Sequence, residues 1–558
     1  MARPISLFRS GLVVLLAAVV VARCYGDVAE EWSFGEEKKR LVEALFDEWN
    51  NDTSPGAAIG IAKRGTTLFS RGHGIAHLDY SVPIRTDSLF YIASTSKQFT
   101  AVGIAMLANQ GVIRLDADIR TWLKELPFSE PPITVRHLLH HTSGIRDYGT
   151  LMALQGRNFN QYFDNSDTIA LLARQRGRNF APGSQYRYCN SNYVLLAEIL
   201  KRSSEMTLQE FSQKHFFGPL KMTRTQWVTN PRLIMPSRVA SYVSTEGNAG
   251  LLRLDVNFGG QGDGNLWTSI QDILKWDANF YEPIIGGDEL VRLMQTPGEL
   301  SDGTQLDYGF GLSLGIHKGC KTISHGGQLF GYSAELLRFP ERGLSVAVLA
   351  NISSIDASDM ARAIADIVLN LPESIEPTND NFSELKEGDT TAYIGEFYEA
   401  NVGRVLTVSF HGGKLVLSGM GSPIHLIHKQ ENSFESTDAG VEVGFVVIDG
   451  IAEDIVLRLP NAVERLSAKR LRRTVPFTTE LSGLYRSDEL DIDWRLRWGD
   501  GRLTVSVADQ KFELSPLDRT HFESSFFDIE LHTDQDRICG FTVSSDGASG
   551  VNFTRVAR

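Results

Sequence analysis

Three short clusters in this sequence carry side chains suited to chemistry at a carbonyl carbon. The first is Ser94-Thr95-Ser96-Lys97. A serine hydroxyl is a weak nucleophile and needs a base within hydrogen-bond reach. On the first turn of a helix, positions i and i+3 share a face, which sets the Lys97 amine beside Ser94 Oγ. The positive end of that helix favours developing negative charge. Burial lowers a lysine's proton affinity, so it can serve as the base. The second cluster is Tyr188-Cys189-Asn190, after Pro182-Gly183-Ser184. A phenol near such a lysine can relay a proton to a leaving group, and an asparagine amide can hold both the lysine and a substrate carbonyl. The third is His325-Gly326-Gly327-Gln328, directly after a strand pattern at Thr322–Ser324. Glycines on a strand let a ligand backbone approach, and the Gln328 and Ser94 amides can pair as an oxyanion hole. Each cluster is weak alone. Ser-x-x-Lys recurs by accident, Tyr-x-Asn suits a surface turn, and His-Gly-Gly suits a hairpin bend.

Taken together and in this order, the clusters resemble the serine β-lactamase-related hydrolases: class C β-lactamases, D,D-peptidases, D-aminopeptidases and several esterases. Flanking residues match as well. They are Phe90-Tyr91-Ile92-Ala93 before Ser94, Leu115-Asp116 after the next helix, Ile133 to Leu139, His141-Thr142-Ser143-Gly144, and Gly264 to Ser269 with Asp272. The resemblance covers roughly residues 36–370. It implies an α/β (α+β) penicillin-recognising transpeptidase-like domain with an antiparallel sheet. It also implies an acyl-enzyme reaction on a small amide, ester or peptide, with Ser94, Lys97 and Tyr188 catalytic, Asn190, His325, Gly327 and Gln328 at the substrate, and no metal or other cofactor.

The third cluster departs from the Lys-Thr-Gly of β-lactamases and D,D-peptidases. His325 and Gly326 stand where those enzymes offer a permanent cation and a hydroxyl to a substrate carboxylate. Histidine is mostly neutral at pH 7, and glycine has no side-chain donor. Carboxylate capture is therefore expected to be weak. His-x-Gly resembles the D-aminopeptidases and some esterases of the group, and a D-aminopeptidase activity is the leading expectation. An esterase is the alternative, and a non-catalytic relative kept for binding or assembly is a second.

Apolar periodicity around the clusters defines the helices and strands that carry them. Residues 36–49 have helical apolar spacing, and Ala57 to Ala62 with Thr66 to Ser70 form a hairpin around Lys63-Arg64-Gly65. An apolar helix follows Ser94, roughly Lys97 to Ala108, closed by Gly111. Short helices are predicted over 133–145 and 192–202. Strands are predicted at 322–324, 333–339 and 344–349, then a closing helix over 357–371. Residues 30–371 thus form one hydrolase domain with helices around an antiparallel sheet. Residues 372–390 are polar and rich in Pro, Asp, Asn and Glu, a linker. Beyond them come short alternating strands with an internal repeat. Gly395 and Gly483, Phe410 and Trp498, Gly413 and Gly501, and Phe434-Glu435 and Phe522-Glu523 all share an offset of 88. Two small antiparallel β-barrel modules follow, about 391–470 and 477–558. A binding platform built on Phe410 and Trp498 is weighed against core packing, which is the expectation for aromatics.

The 558 residues carry a net charge of −13, so the chain lacks the basic excess that a nucleic-acid partner requires. Arg3 and Arg9 precede an apolar run from Leu12 to Ala22, then small or polar residues to Gly26. That is the pattern of an export signal over residues 1–26. The run is shorter than the about 20 residues a bilayer span takes. A periplasmic or secreted protein is expected, with no stable membrane span. Cys189, Cys320 and Cys539 are widely spaced, which argues against a disulfide framework. His140 and His141 are adjacent and lack a third partner at metal-ligand spacing. Oligomeric state is left open.

Overall fold

The computed structural model describes residues 32–556 except 129, 246–249, 373–389, 400–403, 412–413, 421–422, 431, 437–440, 459–464, 472–480 and 535–536. The expected leader and nearly all of the expected linker lie outside the described residues.

The first part is built on a six-stranded antiparallel sheet. Its strands are β1 (Ala57–Lys63), β2 (Thr66–His73), β3 (Ser313–His317), β4 (Cys320–Leu329), β5 (Tyr332–Phe339) and β6 (Leu344–Ala350), in the order β3-β4-β5-β6-β1-β2. The helices used below are α1 (Glu36–Ala44), α2 (Lys97–Asn109), α3 (Tyr148–Leu154), α4 (Asn190–Ser204), α5 (Ile270–Ala278) and α6 (Ala357–Leu369). Strands β5 and β6 are buried along their whole length. They are mostly apolar because helices cover both faces of the sheet, and their buried Glu335 and Arg338 are met by Ser358 of α6 and Asp277 of α5. In β1, Ala57, Ile59 and Ile61 pack with α1 and α6, while Ala58 and Ala62 belong to the cluster containing α2, α4 and α5. A Cβ on Gly60 would stand 2.8 Å from Leu274 Cδ1 of α5, so glycine lets that helix close on the sheet.

Two differences from the sequence expectations matter. The helix expected over 36–49 stops at Ala44 and ends in a 3₁₀ turn, Asp47–Trp49. The strand expected at 322–324 is β4, which runs on through His325, Gly326 and Gly327 to Leu329. The His-Gly-Gly cluster is therefore in the sheet, paired with β5, rather than in a bend after it.

The C-terminal part is two closed eight-stranded antiparallel barrels. The first runs from Gly395–Glu399 to Arg465–Arg470 and the second from Gly483–Ser487 to Ala548–Arg555. The repeat is structural. Strands Gly395–Glu399 and Arg404–His411 return, 88 residues on, as Gly483–Ser487 and Ile492–Gly499. Phe410 and Trp498 are partly buried against the two barrel cores, in line with packing. The first barrel has a core of its own, whereas that of the second is continuous with the catalytic-domain core.

Candidate active site

Ser94 lies in a 3₁₀ turn, Ala93–Ser96, between the short strand Phe90–Tyr91 and α2. The helix proper starts at Lys97. In a 3₁₀ turn positions i and i+3 eclipse, so the expected pairing arises one turn earlier than expected. Ala93, just before the serine, has φ 43°, a left-handed conformation that a Cβ-bearing residue enters only when its surroundings compel it. Part of that compulsion is β4. A Cβ on Gly327 would lie 2.3 Å from Ile92 O, 2.7 Å from Ser94 N and 2.8 Å from Thr95 N. Glycine at 327 thus makes room for the protein's own backbone. The ligand approach expected from sequence is not what requires it. Gly326 is likewise closed off, with Glu335 Oε2 at 2.7 Å from the position its Cβ would take.

Lys97 is fully buried. Its ammonium has three donors and three acceptors: Ser94 Oγ at 3.0 Å, Asn190 Oδ1 at 2.9 Å and the Asp263 carbonyl oxygen at 2.9 Å. The Tyr188 and Tyr193 rings lie 4.7 and 5.7 Å from Nζ. Burial brings the amine down to about 8, against the opposing pull of Asp263 and Asp147. Tyr188 keeps 37% of its surface exposed. Its phenol is nevertheless pushed up by desolvation, with a hydrogen bond to Ser94 acting the other way.

Two residues without a role in the sequence motifs hold the residues that supply those acceptors, at other atoms. Asp147 Oδ2 accepts from the Asn190 backbone N–H at 2.7 Å, at the first turn of α4. Tyr148 donates its hydroxyl to Asp263 Oδ2 at 2.9 Å. Burial raises the Asp263 carboxyl, with Lys97 and Tyr148 opposing.

A second network reaches the site from the other side. The Cys189 N–H donates to His141 Nδ1 at 3.1 Å, which puts the His141 proton on Nε2. That nitrogen faces the Tyr308 hydroxyl at 3.3 Å, and the hydroxyl faces His325 Nε2 at 3.0 Å. His325 Nδ1 lies 2.6 Å from the Gly326 carbonyl, an acceptor, so Nδ1 carries the His325 proton. The chain therefore runs one way, from Cys189 through His141 and Tyr308 to His325. Burial and Lys97 hold His325 at about 3 and keep it neutral. The His141 ring is stacked among Tyr188, Tyr193 and Tyr308, at 4.3, 5.1 and 4.9 Å. His140, its neighbour in sequence, turns away and meets the Tyr308 carbonyl at 3.1 Å.

Ser94, Lys97, Tyr188 and Asn190 thus converge, with Gly327 packed behind Ser94. The His325 ring lies 6.2 Å from that of Tyr188. Both nitrogens of that ring are engaged within the protein, with the Tyr308 hydroxyl and the Gly326 carbonyl. Gln328 follows Gly327 on β4, with its side chain exposed. Cys189 is buried. Tyr308, Asp147 and Tyr148 complete the site. Their one signal in the sequence is proximity to other marked residues: Asp147-Tyr148 closely follows His141 to Gly144, and Tyr308 sits in a Gly-aromatic stretch. A cavity of about 300 Å³, lined among others by Tyr186, Asp307, Tyr308, Ser324 and Arg362, shares Tyr308 as a wall with this network.

Residues 40–369 match a family model described as Beta-lactamase. A D-aminopeptidase of Cereibacter sphaeroides (strain KD131 / KCTC 12085) is 28% identical over 472 residues, covering 84% of this chain and 86% of that protein. Penicillin-binding protein 4* of Bacillus subtilis (strain 168) is 28% identical over 448 residues, 76% of this chain and 97% of the relative. The solved structure of an octameric penicillin-binding protein homologue from Pyrococcus abyssi aligns with a TM-score of 0.53 at 22% identity, over 82% of this chain and 100% of that one, a likeness of fold. The fold is accordingly a penicillin-binding-like α/β domain followed by two closed barrels. With the family model spanning more than half of its length, the chain belongs to the Beta-lactamase family.

Proposed function

We propose that the protein is an exported serine hydrolase that works through an acyl-enzyme on Ser94, with D-aminopeptidase-like activity. The observation that carries this reading is the buried Lys97 amine, 3.0 Å from Ser94 Oγ and lowered to about 8. Unprotonated, it takes the proton from Ser94 as Oγ attacks the carbonyl carbon of an amide. The Ser94 and Gln328 amides receive the oxyanion, a placement supported by the close approach of β4 to Ser94 N, which a Cβ on Gly327 would meet at 2.7 Å. Tyr188 passes the proton to the departing amine, and water then releases the acyl group from Ser94. Asn190, whose Oδ1 is taken by Lys97, offers its amide nitrogen to the substrate. Neutral His325 supplies no cation for a carboxylate next to the scissile bond, which favours amides and amino-terminal cleavage over carboxypeptidase action. The D-aminopeptidase relative, matched along most of its length, supports the substrate class. The leader pattern before Gly26 supports export.

The test is turnover of a D-alanyl anilide, a short p-nitrophenyl ester and a penicillin by the wild type and Ser94→Ala. The expected result is D-anilide hydrolysis, lost by about 10³-fold or more in the folded variant. Retained turnover in Ser94→Ala overturns the nucleophile. Ester turnover without any D-anilide turnover turns the reading to an esterase.

A further inference from the structure

The segment Arg146-Asp147-Tyr148 meets the active site on one side and the second barrel on the other. On the site side, Asp147 holds the Asn190 amide and Tyr148 holds the Asp263 carboxylate. Asn190 and Asp263 provide the two acceptors of Lys97 other than Ser94. On the barrel side, the Asp147 N–H donates to Gly547 O at 2.7 Å. Arg146 donates from Nε to Ser549 O at 3.0 Å and from Nη2 to Gly550 O at 2.9 Å. Its Nη1 pairs with Glu489, both side chains being almost wholly buried, at 2% and 4% exposure. Asn179 adds bonds to Gly547 O and from Ser549 N, at 3.1 and 2.8 Å. Nearby, Trp494 Nε1 donates to Leu154 O at 3.0 Å, where the barrel core joins the catalytic core.

A buried arginine with a carboxylate and two carbonyls around it is not a loose surface contact, because removing any one partner leaves a desolvated charge or dipole. The contact is also tight. A Cβ on Gly547 would stand 2.2 Å from Thr150 Oγ1 and 2.9 Å from Asp147 Cβ. We propose that the second barrel is a positioning element of the active site: Glu489 and the stretch Gly547 to Gly550 set Arg146 and Asp147, and through them the geometry of Lys97. Asp147 is a positioning residue acting through Asn190, and Arg146 is one acting through its chain neighbour Asp147. The proposal rests on the Ser94–Lys97 reading.

The test compares Gly547→Ala, Asn179→Ala and Leu503→Ala in the full chain. Gly547→Ala pushes the hairpin off Asp147, and Asn179→Ala removes two of its bonds without adding bulk. Leu503→Ala weakens the barrel core at a buried residue that makes none of the hydrogen bonds named above. The readouts are kcat and KM for a D-alanyl anilide, and the pH dependence of Ser94 labelling by a fluorophosphonate. The first two variants are expected to lose about 10- to 100-fold in kcat with little change in KM, and to shift the acid limb of labelling. Leu503→Ala is expected to lower the unfolding midpoint and leave the limb in place. Wild-type kcat and an unshifted limb in both contact variants overturn the proposal, as does the same shift in Leu503→Ala. If Ser94→Ala retains turnover, the functional reading fails and takes the proposal with it. If Ser94→Ala is inactive while the contact variants behave as wild type, only the proposal falls.

Discussion

In the proposed reaction the Lys97 amine combines two demands that oppose each other in water: it must lie beside Ser94 Oγ and it must be able to lose its proton near neutrality. Full burial meets the second, and three short hydrogen bonds meet the first. Below about pH 8 the amine is protonated and cannot accept from Ser94. The rate constant kcat/KM for a D-alanyl anilide is therefore expected to rise with pH through about 8 and then level. A limb centred below pH 7 in the pH–rate profile would show that another group controls the reaction. Tyr308 is the other decisive residue, since its hydroxyl alone bridges His141 and His325. Tyr308→Phe leaves His325 Nε2 without its donor in a buried place. The expected loss is about 1–3 kcal/mol of stability, read as a lowered denaturant midpoint. An unchanged midpoint would mean that the relay does not hold the ring.

Among the elements, β4 lies tight against the 3₁₀ turn that carries Ser94. No side chain can stand between them, because the three atoms nearest a Cβ at 327, all within 3 Å, belong to backbone that has no rotamer to change. Gly327→Ala is expected to part the strand from the turn and misplace the Ser94 and Gln328 amides. The expected cost is about 10²–10³ in kcat in a protein that still folds, the scale of losing one oxyanion donor. Kinetics with a circular dichroism control decides it, and wild-type kcat would refute the assigned hole. Helix α2 shows the same economy of space. Its residues Lys97–Ala105 are all buried, which is why it reads as an apolar run instead of an amphipathic one.

At the scale of the molecule, the second barrel is bound to the first as well as to the catalytic domain. Tyr398 of the first donates its hydroxyl to the Asp528 carboxylate of the second, and Arg404 pairs with Asp546 at 2.6 Å beside Gly547. Asp528 is nearly buried, and its Oδ1 has no hydrogen-bond partner. Burial raises its carboxyl to about 6. A folded-state value above the unfolded one means that the favourable contribution is complete below the unfolded value, near 4, and is lost as pH rises through about 6. Asp528→Asn keeps an acceptor for Tyr398 and removes the titration. The variant is expected to match the wild type near pH 4 and to exceed it by up to about 3 kcal/mol near pH 7. Equilibrium unfolding at the two pH values measures the difference, and equal curves at both would refute the coupling.

What the chain determines by itself is local. Ser94 and Lys97 are three residues apart, and any tight right-handed turn brings them together. Strands β5 and β6, mostly apolar, are buried in any context that covers both faces. The 88-residue repeat survives as strands in register because alternation and turn residues act over a few positions. Tertiary structure decided everything that joins distant segments. Asn190 and Asp263 become ligands of Lys97 across 93 and 166 residues. The direction of the relay through Tyr308 depends on which carbonyl and which amide meet the two histidines. The need for glycine at 327 comes from the backbone of residues 92–95, and Arg146 meets Gly550 across 404 residues. Such pairings leave no periodicity in a sequence, because they are set by how elements pack and not by the spacing of residues within them.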